Sequence, residues 1–421
     1  MNSANTHDPR TPSRQRSAAI AAAWVAVIYA TVPLVRTLQG WYSARFEPIW
    51  ITVFVLASVG VTCWLIATRL RRSGRAVRPA DVVWLGAVTT AAGWLTWQLR
   101  DRPEEAIHLL EYGILAALIY RAIRPTATDA AVLGATVLLT TLMGVVDEVI
   151  QWITPLRYWD LRDIGLNATA AVLAAIVLWR IDPGPWRRPN PDSVRLVLRL
   201  GAVLVLVLAL CLANTPDRAA WYSARIPGLG FLAHPANEMA EYGHRHEVLD
   251  RGEFKSRLAL VELEDEDRRR GAEVAEAIDS YPEGSHQRFV RSHQGFEDPL
   301  LYEARLHIFS RDYHARMAMS EAVKPAARTD HFTRAFRENR ILEEFYGNTL
   351  RHSSFVLDDE QRKVLQTNQD QDQHFASRVG SHIITSWSER GLRGMLLMTA
   401  FFLVVLDFRL GIRSVRGEHS S

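Results

Sequence analysis

The sequence predicts an all-α protein: a polytopic transmembrane helix bundle with a mostly helical extracytoplasmic domain. Eight apolar runs have the length of roughly 17 to 25 residues that a membrane-spanning helix needs. Arginines concentrate in every second connection between these runs. One long polar block, 214–391, separates the seventh run from the eighth and carries most of the acidic residues.

The apolar runs follow one another closely along the first half of the chain. One such run is ambiguous, because it also fits a buried helix of a soluble core. Seven runs joined by short charged connections favour membrane spans instead. The predicted spans are Ala18–Leu38, Pro48–Thr68, Ala80–Leu99, Ile107–Ile123, Asp129–Trp152, Asp163–Trp179, Val194–Ala213 and Leu392–Phe408.

Arginine placement predicts the orientation of the spans. With the N-terminus in the cytoplasm, the cytoplasmic connections carry most of the arginines, as in the stretch from Arg69 to Arg78, and the outer loops carry few. This distribution follows the positive-inside rule. We therefore expect a multi-pass protein of the bacterial inner membrane with both termini cytoplasmic and 214–391 outside. The first apolar run is expected to remain as an anchor and not to be removed as a signal peptide.

These features divide the chain into seven segments. They are a disordered cytoplasmic tail (1–17), two N-terminal transmembrane helices (18–79), a four-helix membrane core (80–180), a loop with the seventh helix (181–213), an extracytoplasmic helical domain (214–391), the eighth helix (392–408) and a cytoplasmic tail (409–421).

Composition argues against several other classes of protein. The net charge is +3, and the basic residues are nearly all arginine. No basic reading helix or aromatic stacking platform is recognisable, so we expect no nucleic-acid partner. Cys63 and Cys211 both fall within predicted spans. The outer domain must therefore be held together by its core, without disulfides.

The polar block has mainly helical patterns. Apolar residues at helical spacing and acidic first turns predict helices at Leu263–Ser280, Asp330–Leu350 and Asp358–Leu365. Phe254–Leu263 alternates enough for a short strand, and Leu300–Tyr313 fits either helix or strand. From Ser377 we expect a helix that continues into the last span.

A five-residue sequence occurs twice. Trp-Tyr-Ser-Ala-Arg stands at 41–45 and again at 221–225, both just outside predicted spans. Trp and Tyr favour the membrane interface, and Arg reaches lipid head groups. The two copies are either independent interfacial anchors or traces of a duplication.

The most informative stretch is the break between the fifth and sixth spans. Ionisable residues at membrane helix ends are expensive, and each is a functional-site hypothesis. The start of the fourth span adds more of them, and at spacings of three and four residues they share a helix face. We call the whole set the polar cluster: His108, Glu111, Tyr112, Asp147, Glu148, Gln151, Arg157, Asp160, Asp163 and Asn167.

The polar cluster allows three interpretations. Its carboxylates could pair with arginine and histidine and simply lock the helices together. They could bind the polar head of a lipid or lipid-linked precursor, because carboxylates and amides suit hydroxyl and ammonium groups. They could also act as acid and base, or bind Mg²⁺ or Ca²⁺. The cluster contains no Ser or Cys nucleophile, so a covalent acyl intermediate is not expected.

The spacing of these residues resembles that of the VanZ family of bacterial membrane proteins. The pattern is H-x-x-x-Y-x-x-L, then G-x-x-D-E-x-x-Q, then P-x-R-x-x-D-x-x-D-x-x-x-N. The matching positions are His108, Tyr112, Leu115, Gly144, Asp147, Glu148, Gln151, Pro155, Arg157, Asp160, Asp163 and Asn167.

The VanZ resemblance makes segment 80–180 a VanZ-like core. It implies a role in the cell envelope, and the founding member is associated with low-level resistance to the glycopeptide teicoplanin. The chain departs from the family pattern at Glu104-Glu105, where Asp-Lys is frequent, and at Ala170-Ala171, where Gly is frequent. The polar block and the eighth span are additions to the family's minimal unit.

Histidines are concentrated in the outer domain. Glu303 and His307 are four residues apart and would share a helix face. Together with His244 and His246 they form a hypothetical transition-metal site. The alternatives are interhelical hydrogen bonds with nearby arginines and pH sensing near neutrality.

The function expected from the sequence is binding of a membrane lipid or lipid-linked cell-wall precursor in the polar cluster. One alternative is a membrane enzyme that acts on such a precursor through the same carboxylates and His108. Another is an envelope scaffold or sensor that works through the outer domain, or a lid formed by that domain. Neither a cofactor nor an oligomeric state is predicted.

Overall fold

A computed structural model gives the fold. It describes residues 10–34, 41–42, 45–47, 49–72, 78–100, 103–125, 129–155, 157, 159–181, 190–233, 239–248, 252–282, 284–384 and 387–418. The structure is 76% helical, with 15 helices in these ranges and little sheet. The chain divides into two compact units, Met1–Leu210 with Met395–Ser421, and Cys211–Gly394.

The first unit contains long helices that match the predicted spans closely. Because leucine, alanine and valine fill them almost throughout, both faces are apolar, as expected of helices in lipid. Their bounds are α1 Arg10–Thr31, α2 Ile49–Arg72, α3 Pro79–Gln98, α4 Pro103–Ile123, α5 Ala131–Trp152, α6 Leu161–Ile181 and α7 Pro191–Cys211, and the last helix of the chain, α15, is Glu389–Glu418.

Seven of these helices, all except α3, are long and apolar enough to cross a membrane. The chain is therefore a multi-pass membrane protein. α3 forms at the third predicted span, and it carries polar residues at both ends, Asp81 in its first turn and Gln98 as its last residue. Its crossing stays a prediction. Asp81 in its first turn is buried and pairs with Arg180 at the end of α6.

Two helices extend into the segments that were predicted as tails. α1 begins at Arg10, so the second half of the segment 1–17 is helical, while residues 1–9 lie outside the described residues. α15 continues to Glu418, through most of the segment 409–421. The helical parts of both segments contain several arginines, and arginine is a good helix former. Their polarity therefore does not end the helices.

α4 is the central helix of the membrane unit and packs against α1, α2, α5 and α6. An apolar core of this unit lies between α4 and α1. It contains Tyr112, Leu115 and Ile119 of α4 with Ala21 and Ile28 of α1. Because only a short connection joins α5 to α6, these two helices are antiparallel neighbours.

α7 and α15 are also antiparallel neighbours in this unit. The carboxylate of Asp407 accepts hydrogen bonds from Nε of Arg195 at 2.9 Å and from Nε of Arg199 at 3.0 Å. Gly201 lies beside Leu403 of the same pair. Ion pairs and a close contact therefore hold α15 against α7.

The second unit is helical with short strands. It contains α8 Pro216–Ser223, β1 Glu241–Tyr242, β2 His244–Val248, β3 Gly252–Ser256, α9 Leu260–Asp279, α10 His286–Ser292, α11 Pro299–Met319, α12 Pro325–Phe345, α13 Gly347–His352, α14 Asp359–Asn368, β4 Phe375–Ala376 and β5 Ile383–Ile384. β2 pairs antiparallel with β3, β3 pairs parallel with β4, and β1 pairs parallel with β5.

The core of the second unit lies where α11 packs against α9 and α12. Val274, Ile278, Ile308 and Ile341 are buried there together with Phe254 of β3. The unit therefore has an apolar core of its own. Cys63 and Cys211 are both free thiols, so no disulfide joins them.

Sequence patterns predicted part of the second unit correctly. α9 and α14 lie at the expected places, and the ambiguous stretch Leu300–Tyr313 is part of helix α11. The predicted helix Asp330–Leu350 is interrupted at Tyr346, which separates α12 from α13. The predicted strand Phe254–Leu263 is strand only to Ser256.

The expected helix from Ser377 is wrong. Ser377 directly follows β4, and the chain then turns into β5 before α15 begins at Glu389. The Ser377 hydroxyl accepts a hydrogen bond from the backbone N–H of Val379 at 3.1 Å, and Gly380 has φ of +67°. A serine that bonds its neighbouring backbone and a glycine in the left-handed region both favour a turn over a helix.

The tryptophan and the arginine make the same contact in both copies of the five-residue sequence. Arg45 lies over the ring of Trp41 at 4.8 Å, and Arg225 lies over the ring of Trp221 at 4.4 Å. In each copy the arginine also donates to the tryptophan carbonyl oxygen. The repeated sequence thus encodes a repeated cation–π turn.

Candidate functional site

The break between α5 and α6 brings the polar cluster together, and a small residue makes this possible. Gly144 of α5 faces Asn167 of α6 so closely that a Cβ at position 144 would lie 2.9 Å from Nδ2 of Asn167. Asn167 is completely buried at this contact. The two helices therefore approach most closely at the level where the polar residues begin.

Glu148 and Gln151 form the buried centre of the polar cluster. Nε2 of Gln151 donates to Oε1 of Glu148 at 2.7 Å and lies 3.5 Å from Oδ2 of Asp147. The other Glu148 oxygen accepts from the backbone N–H of Asp160 at 3.0 Å, and Arg157 donates to the side-chain amide oxygen Oε1 of Gln151. This network joins the end of α5 to the start of α6.

A second set of polar contacts lies at the rim of the cluster. Arg162 donates to Asp160 at 2.7 Å, and its guanidinium lies 3.5 Å from Glu105 of α4. The Arg162 side chain is 62% exposed, whereas Glu148 is 0% exposed. The cluster thus has an accessible rim around a buried centre.

The start of α4 contributes His108, Glu111 and Tyr112. Nδ1 of His108 lies 3.8 Å from the Glu111 carboxylate, and the rings of His108 and Tyr112 are 6.1 Å apart. Tyr112 is fully buried near Asp147. All ten predicted residues are therefore described, and they lie at one end of the bundle.

Helix α1 borders the cluster as well, which the sequence did not predict. The Trp24 indole donates to the Glu111 carbonyl oxygen at 3.0 Å, and the Tyr29 hydroxyl donates to the Met143 carbonyl oxygen at 2.9 Å. An aromatic residue in an apolar span gives no signal of such a contact, because lipid-facing helices carry the same residues.

Several buried polar atoms of the cluster lack a hydrogen-bond partner among the described residues. They include both amide atoms of Asn167 and Oδ1 of Asp147. Leaving such a group unsatisfied costs on the order of 1–3 kcal/mol. A purely structural network would be expected to satisfy these groups internally.

The charge of the cluster is strongly acidic. The cluster includes one arginine, Arg157, and five carboxylates, those of Glu111, Asp147, Glu148, Asp160 and Asp163; Glu105 and Arg162 at the rim add one charge of each sign. Asp163 is half-buried and interacts electrostatically with Glu148 and Asp160. An excess of acceptor oxygens suits a ligand that brings hydroxyl or ammonium hydrogens.

The family comparison matches this part of the chain. The family model VanZ/LLP1 matches residues 31–182, which include α2 to α6 and the whole polar cluster. The chain is a VanZ-like protein. The match covers a little over a third of the chain and does not include the second unit. No curated protein and no solved structure matches the chain.

The hypothetical metal site of this VanZ-like protein is not supported. Glu303 accepts hydrogen bonds from Arg257 and Tyr346, and Nδ1 of His307 bonds Glu338 at 2.6 Å. His246 bonds the Leu258 carbonyl oxygen, and the His244 side chain is exposed. Within the described ranges, no three His, Cys, Asp or Glu side chains are placed to hold a metal ion. Three of the four candidate ligands, His246, Glu303 and His307, have other hydrogen-bond partners.

Proposed function

We propose that this VanZ-like membrane protein binds the polar head group of a lipid or lipid-linked cell-wall precursor in the polar cluster. The observation that carries the proposal is Asn167, whose amide is completely buried and has no hydrogen-bond partner among the described residues. A head group with hydroxyl or ammonium hydrogens would satisfy this amide and Oδ1 of Asp147. The surrounding apolar helices would hold the acyl chain.

The exposed rim supports a route for such a ligand. Glu105, Asp160 and Arg162 lie where α4 and α6 begin, and they are more exposed than Glu148 beneath them. A head group would meet the rim first. The apolar outer surfaces of the same helices suit contact with lipid tails.

We place the protein in the bacterial inner membrane, with both termini cytoplasmic and 214–391 outside. Arginine placement supports this orientation. The polar cluster would then lie at the outer face, where lipid-linked wall precursors are used. Resemblance to the VanZ family supports a role in glycopeptide resistance, which is tested by teicoplanin susceptibility of cells that express the wild-type chain or Asp147→Asn.

Native mass spectrometry of the full chain in mild detergent tests head-group binding. The probes are phosphatidylethanolamine, phosphatidylglycerol and phosphatidic acid with identical acyl chains, because the first two bring ammonium or hydroxyl hydrogens beyond the phosphate. We expect the wild-type chain to retain one of the first two at least several-fold better than phosphatidic acid. Asp147→Asn and Asn167→Leu should abolish this preference.

Asp129→Asn is the matched control, because it makes the same chemical change beside the other end of α5. Asp129 is buried and accepts hydrogen bonds from the backbone of Ala131 and Asn190. The control should keep the lipid preference. Equal retention of all three lipids, or equal loss in Asp129→Asn and Asp147→Asn, would overturn the proposal. Conversion of a bound lipid to a product of different mass would instead favour the enzyme alternative.

A further inference from the structure

The second unit contains a cavity of about 290 Å³ that the proposed function does not use. It lies between α10 and α11, with Phe355 on a third side. Arg305 and Arg316 line it together with His286, Gln287, Phe309 and Asp312. Its walls thus combine positive charge with aromatic rings.

Arg305 is the central side chain of this cavity. The residue is 2% exposed. One terminal nitrogen donates to the Tyr281 carbonyl oxygen at 3.3 Å, and the guanidinium lies 5.0 Å from the Phe355 ring centroid. Nε of Arg305 has no hydrogen-bond partner among the described residues. A buried guanidinium usually meets an anion that compensates its charge.

The carboxylate on the cavity wall is already engaged. Asp312 accepts a hydrogen bond at 2.8 Å from Nε of Arg311, which is itself almost fully buried behind the wall. Burial lowers the pKa of Arg305; the charge of Asp312 opposes this shift and that of Arg311 adds to it. With Arg316 at the mouth, the described lining of the cavity contains two arginines and one carboxylate, and Arg311 lies behind that carboxylate.

His286 gives the cavity a further polar group. Its ring stacks on Phe309 with centroids 3.5 Å apart and an interplanar angle of 8°. Nδ1 of His286 is buried and has no hydrogen-bond partner among the described residues. Burial lowers the pKa of His286, and the charge of Arg305 lowers it further. An anion in the cavity would offset the charge of Arg305 and could accept a hydrogen bond from the His286 ring.

We propose that this cavity binds a phosphate-bearing ligand. A phosphate would compensate the buried guanidinium of Arg305, whose Nε has no hydrogen-bond partner among the described residues, and its planar fork suits phosphate oxygens better than a point charge would. The volume exceeds that of one phosphate group, so Phe309 and Phe355 would contact the carbon part of an ester. The phosphate comes from either a soluble monoester or a phospholipid head group.

Calorimetric titration of the full chain in mild detergent tests this site. The probes are inorganic phosphate, glycerol 3-phosphate, short-chain phosphatidic acid and acetate. We expect phosphate to bind at least tenfold more tightly than acetate. Tighter binding of glycerol 3-phosphate than of phosphatidic acid would identify a soluble ester, and the reverse order would identify a lipid.

Two variants assign the binding to this cavity. Arg316→Gln at the exposed mouth should weaken phosphate binding about three- to tenfold. Arg268→Gln is the matched control, because the Arg268 side chain is 74% exposed on α9. Asp312→Asn should tighten phosphate binding, a gain that unfolding cannot produce. Failure of phosphate to bind more tightly than acetate, or equal effects of Arg316→Gln and Arg268→Gln, would overturn the proposal.

Discussion

Gly144 of α5 and the amide of Asn167 of α6 are in direct contact at the level where the polar cluster begins. A Cβ at position 144 would lie 3.0 Å from Cβ of Asn167, and both partners belong to helices whose backbones cannot easily move apart. The closest approach of the two helices therefore depends on the absence of a side chain at 144.

Gly144→Ala should destabilise the membrane unit by about 1–3 kcal/mol, because it overpacks this contact. Thermal unfolding of the full chain in detergent measures the effect. Gly165→Ala on α6 is the control, since a Cβ there would meet nothing within 4 Å. Equal stability of the two variants would contradict the contact.

Glu148→Gln should weaken the joint between α5 and α6. One carboxylate oxygen accepts from the Asp160 backbone N–H and the other from Gln151. A glutamine amide has a single acceptor oxygen, and its NH2 group would face one of these two donors. We expect a cost of about 1–3 kcal/mol. Amide hydrogen exchange of the peptide that contains Asp160 should become faster. Asp163→Asn, which loses none of these bonds, should change exchange much less.

Asp407→Asn should loosen α15 from α7, because two arginines would lose their charged partner. The readout is cross-linking by a short bismaleimide of cysteines placed at Gly201 and Leu403, in a chain with both native cysteines replaced by serine; a Cβ at 201 would lie 3.4 Å from Cδ1 of Leu403. Cross-linking should fall in the variant. Asp192→Asn is the control, since the Asp192 side chain is 75% exposed and 3.7 Å from Arg195. Undiminished cross-linking in Asp407→Asn would show that these ion pairs do not hold the helices together.

The second unit should lose stability in acid through His314. The pKa of His314 is lowered from 6.5 to about 4, mainly by burial and also by the charges of His331 and Arg334, against the opposing charges of Glu338 and Asp330. The unfolded chain therefore binds a proton more readily than the folded one as pH falls from 6.5 to about 4, so stability decreases over this window.

After allowance for solvent screening, this loss is roughly 1–2 kcal/mol. Thermal unfolding at pH 7 and pH 4.5 measures it, and His314→Asn should reduce the difference between the two. His352→Asn on the surface should leave the difference unchanged. If His314→Asn behaves like that control, the acid sensitivity comes from other groups.

Cysteine labelling tests the orientation of the membrane unit. In a chain without native cysteines, Ile153→Cys lies in the break after α5, where Ile153 is 46% exposed, and Asp192→Cys lies in the first turn of α7. A membrane-impermeant maleimide should label the first variant in intact cells and the second only after permeabilisation. The reverse result would invert the topology and place the polar cluster at the cytoplasmic face.

Much of the membrane unit was predictable because contact with lipid restricts the length and composition of each helix. A helix in lipid must be long, apolar and closed in its own hydrogen bonds, so run length and arginine placement suffice. The second unit was less predictable: Leu300–Tyr313 fits two periodicities, and Ser377 begins a turn that no apolar pattern marks. The contributions of Trp24 and Tyr29 were also invisible, because α1 reaches the cluster only through packing.

The sequence by itself determined the class of the protein, the places of the long helices and the set of polar residues at one end of the bundle. Those features follow from local composition and spacing, which every segment carries alone. Tertiary structure alone decided which polar residues are buried, which stay at the rim and which former candidates are engaged elsewhere, as Glu303 and His307 are. Burial and partners depend on residues far apart in the chain, such as Gly144 with Asn167 or Arg305 with Phe355, and no local pattern specifies such pairs.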